Sequence, residues 1–297
     1  MTQVTFSERS HSFHMLRSAL HLGILLIAVP FVAGQTPRPF MYSATTVVTP
    51  VVPVITIESR FDAPSGFKRP VGATGSFSAY LHSLRLKPAD AQVHLFDGEL
   101  KGCQDAHAAV IDMSVGDKDL QQCADAVMRL RAEFLFSADR KEEITFNFTS
   151  GFKAPFSRWM KGERIRVRGN DCSWVSGGKT GASHDDLLAY LQVVFSYAGT
   201  VSLSKELIDC ANTPVRPGDV FIQGGHPGHA VIVVDMARSE NGEQVCMLAQ
   251  SYMPAQEIHV LKNLEDPDLS PWFKLNDGEE LVTPEWTFGW EQRKRWP

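Results

Sequence analysis

The chain has 297 residues, 43% of them hydrophobic and 21% charged, with a formal net charge of −5 at pH 7. That length is enough to bury a sizeable core. The acidic balance, with no basic cluster interleaved with aromatic residues, argues against a nucleic-acid surface; the dense basic run Arg293-Lys294-Arg295 reads as a solvated end.

In chain order, Met15 to Gly34 reads MLRSALHLGILLIAVPFVAG. Arg17 supplies a positive start, Leu20 to Val32 an apolar stretch, and Val32-Ala33-Gly34 the small residues of a cleavage site. The apolar stretch is shorter than the roughly 20 residues of a membrane span, so residues 1–34 are predicted to carry a secretory signal with translation starting at Met15. The expected destination is the periplasm or the exterior, with no membrane span left after signal removal. Residues 35–56 are rich in Pro, Thr and Val and read as an extended linker. A single α+β domain is predicted over 57–297.

Ser76 or Ser78 is placed to cap a short helix through Ala79-Tyr80-Leu81. Gln92–Phe96 and Ala108–Met113 alternate like strands, with Asp97-Gly98 as a turn. Leu120, Cys123, Ala124, Val127, Leu130 and Phe134 recur at helical spacing behind Asp117 or Asp119 as a cap. On that stripe Cys123 reads as a core residue, or as a nucleophile near its helix start aided by Gln121 or Gln122. Ile144–Phe148 and Gly162–Gly169 are predicted strands, Arg158-Trp159 a loop, and 170–182 irregular. Ser183 with Asp186 resembles a capping box for a helix whose stripe is Leu187, Leu188, Leu191, Val194, Phe195 and Ala198. A shorter helix over Ser202–Asp209 follows. Strands are then expected at Asp219–Ile222, Ala230–Asp235, Val245–Ala249 and Glu257–Leu261. Helices first and an antiparallel run afterward indicate α+β.

The five cysteines, Cys103, Cys123, Cys172, Cys210 and Cys246, are an odd number for an exported chain, so at least one lacks an intramolecular partner. A Cys103–Cys123 bridge is compatible with the sequence, which does not fix the pairing. No Cys/His spacing matches a structural zinc site, and no metal or other cofactor is expected.

The segment PGDVFIQGGHPGHAVIVVDMA, Pro217 to Ala237, delivers His229 from a glycine loop to the start of a very apolar strand, which suits a general base. Gln250, at the end of the neighbouring strand, is a candidate orienter of its ring. His226, Tyr252, Arg158 and Trp159 are candidate binding residues. This segment resembles the NlpC/P60 branch of the papain-like thiol hydrolases, over roughly residues 183 to 262, with residues 57–182 as an N-terminal α/β extension. The resemblance implies a cysteine at a helix N-terminus. Aligned on DDLLAYLQVVFSYAG, that slot falls on Leu187; aligned on Asp171-Cys172-Ser173, it falls on Cys172. The strings DLQQCADAVMRLRAEFLF, VFSYAGTVSLSKEL, GDVFIQGGHPGHAVIVVD and LAQSYMPAQEIHVL also resemble the family described as domain of unknown function 4846, which implies an exported bacterial protein and no particular activity.

The reading these features favour is an exported, catalytically degenerate papain-like domain that binds a cell-envelope peptide, glycan or protein. The alternative is an active thiol amidase or peptidase, with Cys172 or Cys123 as nucleophile, His229 as base and Gln250 as orienter.

Overall fold

A strand buried on both faces reads as an unbroken apolar run, because layers must cover it on both sides. The segment His229–Ser239 is such a strand, buried from His229 to Ala237. In the computed structural model, which describes residues 54–297, it lies inside a nine-stranded antiparallel sheet. Across the main path the order is His107–Val110, His259–Leu261, Gln244–Gln250, His229–Ser239, Val220–Gln223, Arg293–Arg295 and Ile208–Asp209. Phe67–Lys68 adds to the His229 strand, and Phe273–Leu275 to the Gln244–Gln250 strand. The predicted signal over 15–34 and most of the predicted linker over 35–56 lie outside the described residues.

Side chains alternate across the pleat. Ala230, Ile232 and Val234 therefore face the helical layer, while Val231 and Val233 face a second core containing Phe221, Phe273, Phe288 and Trp290. The alternation changes phase near Asp235, since Met236 joins the second core and Ala237 the first. Opposite it, the register shifts between Met247 and Leu248, a bulge that re-aims the remainder of the strand.

Helices build the first core. Cys123–Ser137 packs on the His229 strand and buries Val127, Met128, Leu130 and Leu135, and His184–Tyr197 packs on that helix and buries Leu187, Leu191 and Val194. Removing a fully buried leucine such as Leu130 or Leu187 would cost about 2–5 kcal/mol. Ser183 caps the second helix as anticipated: its Oγ accepts the Asp186 amide, and the Asp186 carboxylate accepts the Ser183 amide. A short helix, Thr200–Glu206, follows it directly, capped by Gly199.

Several expectations are corrected. Arg158 and Trp159 belong to a short helix, Phe156–Met160. Asp171–Val175 is a strand, paired with Arg164–Arg168 through a tight turn in which Gly169 has φ of 59°. Gln92–Phe96 forms isolated bridges instead of a strand. The Cys123 helix begins after Gln122, beyond both aspartates expected to cap it. All five cysteines are free thiols, so no Cys103–Cys123 bridge forms. The basic tail is no solvated end: Arg293–Arg295 is an inner strand of the sheet, and Arg293 is fully buried. Among the described residues, no single helix is long and apolar enough to cross a membrane.

Candidate functional site

The site begins with the displaced start of the Cys123 helix. Asp119 does not cap it, because its carboxylate accepts the Ala255 amide at 2.7 Å and the Gln122 side-chain amide at 3.1 Å. The chain turns tightly through Leu120 and enters the helix from an extended Gln122, whose N–H donates to Asp125 at 3.1 Å. Cys123 is therefore the first helical residue. The first-turn amides of a helix lack partners within it, and its dipole favours negative charge at that end.

Opposite lies the loop Gly224-Gly225-His226-Pro227-Gly228. Gly225 has φ of +147°, and a Cβ on Gly228 would fall 2.5 Å from both the Gly225 carbonyl and the Thr200 hydroxyl. Glycine is required for this loop to lie against Thr200, whose hydroxyl donates to the Gly225 carbonyl at 3.3 Å. The loop delivers His229 to the first position of its strand, opposite Gln223.

The helix start and the loop enclose a cavity of about 330 Å³. Cys123 and His229 both line it, with no hydrogen bond between them; Gln122, Asp125, Tyr252 and Trp286 complete its chemistry. His229 is packed among Tyr252, Trp286 and Phe288, with ring centroids 4.7, 5.4 and 5.9 Å away. Its Nε2 meets Gln250 Oε1 at 2.8 Å. Gln250 Nε2 donates to Glu285 at 2.5 Å, and Glu285 pairs with the buried Lys101 at 2.6 Å.

Burial pushes the His229 pKa down to about 4, against weaker opposition from Gln250 and Glu285. The ring is neutral at pH 7 and free to accept a proton. Burial, then the neighbouring Asp125, pushes the Cys123 thiol up to about 11, while the backbone amides of Ala124, Ala230 and Cys123 itself act in the opposite direction. The resting pair is thus thiol and imidazole. Burial holds Asp125 well above the usual carboxylate range.

The structure gathers His229, Gln250, His226 and Tyr252 at this site and leaves three other predicted residues elsewhere. Cys172 sits on the Arg164–Val175 hairpin, 3.7 Å from the Ser150 hydroxyl. Arg158 pairs with Glu163 through its Nε at 2.8 Å and lies over the Trp174 ring. Trp159 packs on Tyr190 and under the Arg164 guanidinium. Leu187, where one alignment put the nucleophile, is fully buried in the main core. Lys101, His259, Glu285 and Trp286 carry no sequence signal of a site. For Cys123 a signal existed: Asp125 stands three residues after Gln122, the spacing of an acidic residue that reaches back to the residue before its helix.

The profile of the family described as domain of unknown function (4846) matches residues 57–295. Comparison with curated proteins and with solved structures finds no match. The chain belongs to the domain-of-unknown-function family 4846.

Proposed function

We propose that this chain is a papain-like thiol hydrolase acting on an amide or ester, with Cys123 as nucleophile, His229 as general base and Gln250 as orienter. The observation that carries this reading is the meeting, in one cavity, of a cysteine at the first residue of a helix and a histidine whose far ring nitrogen is held by Gln250. The alignment that set a leucine in the nucleophile slot loses its force, because Leu187 is a core residue remote from the cavity lining.

The chemistry follows from the neutral resting pair. As Cys123 Sγ attacks the carbonyl carbon, its proton passes to His229 Nδ1, while Nε2 stays bonded to Gln250. Negative charge gathers on the carbonyl oxygen, for which the unpaired amides of the first helical turn are the available donors. Collapse of the tetrahedral adduct breaks the bond to the leaving amine or alcohol, which takes the proton from the imidazolium. Water, deprotonated by the same ring, then cleaves the thioester and frees the acid. The cavity lining contains Asp119 and neither Lys nor Arg. Acyl groups that are neutral or cationic beside the scissile bond are therefore preferred over anionic ones. The leader over 15–34 supports export, and a cell-envelope peptide amide is the substrate class that suits such a location.

A binding-only role is favoured by the raised Cys123 thiol and by the lack of a hydrogen bond between it and the ring. Hydrolysis of p-nitrophenyl acetate separates the two. An enzyme shows turnover that Cys123→Ala and His229→Ala each abolish and Cys172→Ala leaves unchanged. A lack of turnover would leave only the binding role, and turnover that survives Cys123→Ala would remove Cys123 as the nucleophile.

A further inference from the structure

Behind the His229–Gln250 bond lies a chain of groups whose donor and acceptor roles are fixed from its far ends. At one end, Lys101, 5% exposed, donates to Glu285 Oε1 at 2.6 Å and to the Cys103 carbonyl at 3.2 Å. The ion-paired carboxylate can only accept, so the Gln250 group 2.5 Å from its other oxygen must be the NH2. At the other end, His259 Nδ1 stands 2.9 Å from the Glu257 carbonyl and must donate to it. Burial drives the His259 pKa down to about 3. Its ring is neutral and keeps a lone pair on Nε2, which faces Gln250 Nε2 at 3.5 Å.

An inverted Gln250 amide would set its oxygen against two acceptors at once. The amide orientation is thus determined by its surroundings. With Oε1 turned to the ring, His229 Nε2 has to carry the proton and Nδ1 the lone pair. That is the tautomer a base needs when its other nitrogen is already engaged.

We propose that Glu285, supported by Lys101 and His259, is a positioning residue that selects the Nε2–H tautomer of His229 through Gln250. The inference deepens the hydrolase reading, resting on it for the use of Nδ1 as base, while the tautomer itself is measurable without any turnover. Glu285 lies in the irregular segment between two short strands, Leu281–Val282 and Thr287–Phe288, next to Trp286, which packs on the His229 ring. One segment therefore supplies both the acceptor that orients the amide and a wall that orients the ring.

The test is the ring nitrogen spectrum of His229 in 15N-labelled protein at pH 7, with the rate of acylation by p-nitrophenyl acetate measured alongside. The native protein is expected to show one tautomer, with the proton on Nε2. In Glu285→Gln the new side chain can donate as well as accept, only His259 Nε2 at 3.5 Å still opposes inversion of Gln250, and both tautomers should appear. Acylation should slow in proportion to the Nε2–H population lost. Glu285→Asp, still able only to accept, should keep the native tautomer. If Glu285→Gln does not fold, Glu285→Asn against Glu285→Asp makes the same comparison.

A native ring protonated on Nδ1, or an unchanged tautomer in the amide variant, would overturn the proposal. A native protein that shows the expected tautomer and its loss in Glu285→Gln, yet never acylates, would instead refute the hydrolase reading and leave the tautomer selection standing.

Discussion

Two ends of one sheet bury polar groups in different ways. At the Arg293 end, Arg293 Nη1 meets Asp219 at 2.6 Å, Arg295 meets the same carboxylate at 2.9 Å, and Arg293 Nη2 donates to the Thr213 and Ala211 carbonyls. Asp219 and Arg293 are both fully buried, and neither lines the cavity. At the His229 end the chain Lys101–Glu285–Gln250–His229 is buried except for a partly exposed Glu285, but it runs from an ion pair through a neutral amide to a neutral ring that lines an open space. Buried polarity alone therefore does not mark a site. The difference lies in whether the network closes on itself or ends on a titratable group facing a cavity.

The closed end is the more sensitive of the two to substitution. Arg293→Met leaves Asp219 buried with less compensation and should cost about 3–5 kcal/mol in chemical denaturation. The ring nitrogen signals of His229 should not change in the variant while it remains folded. A loss below about 1 kcal/mol would mean that the pair is not the closed structural network described.

The open end should respond to acid. His229 at about 4 and His259 at about 3 both lie below the usual 6.5. Between those values the unfolded chain binds more protons than the folded one, so stability is full above about pH 6.5 and falls as pH drops toward 4. For His229 alone the loss is on the order of 3 kcal/mol, readable as a falling Tm across that window. A Tm that stays level down to pH 4 would contradict neutral buried rings.

Next in size is Gln250→Ala, which frees the His229 ring and should slow acylation by about a hundredfold. An unchanged rate would remove Gln250 from the orienting role. The smallest effect is expected from Cys172→Ser, on a partly exposed hairpin: a stability change within about 0.5 kcal/mol and no change in acylation of Cys123.

What the residues disclosed in advance was uneven, for physical reasons. The Ser183 helix was legible because its cap and its apolar stripe are local. The placing of His229 beside Gln250 was legible because strand alternation and adjacency carried it. The same clear stripe drew the alignment to Leu187, which the structure buries in the main core. The start of the Cys123 helix was misread because Asp119 has the chemistry of a cap but is claimed by the Ala255 amide, 136 residues along the chain. Glu285 was invisible, since it sits in irregular chain with no period to expose its side. Arg293 looked like a solvated tail because nothing local shows that Asp219 lies beside it.

The most direct test of the thiol reading is to trap the acyl-enzyme with p-nitrophenyl acetate and map the acetyl group by peptide mass spectrometry. Acetylation is expected on Cys123 and lost in His229→Ala, with exposed Cys103 and partly buried Cys172 labelled slowly and equally in both proteins. Acetylation confined to Cys103 and Cys172, or Cys123 labelling indifferent to His229, would contradict it.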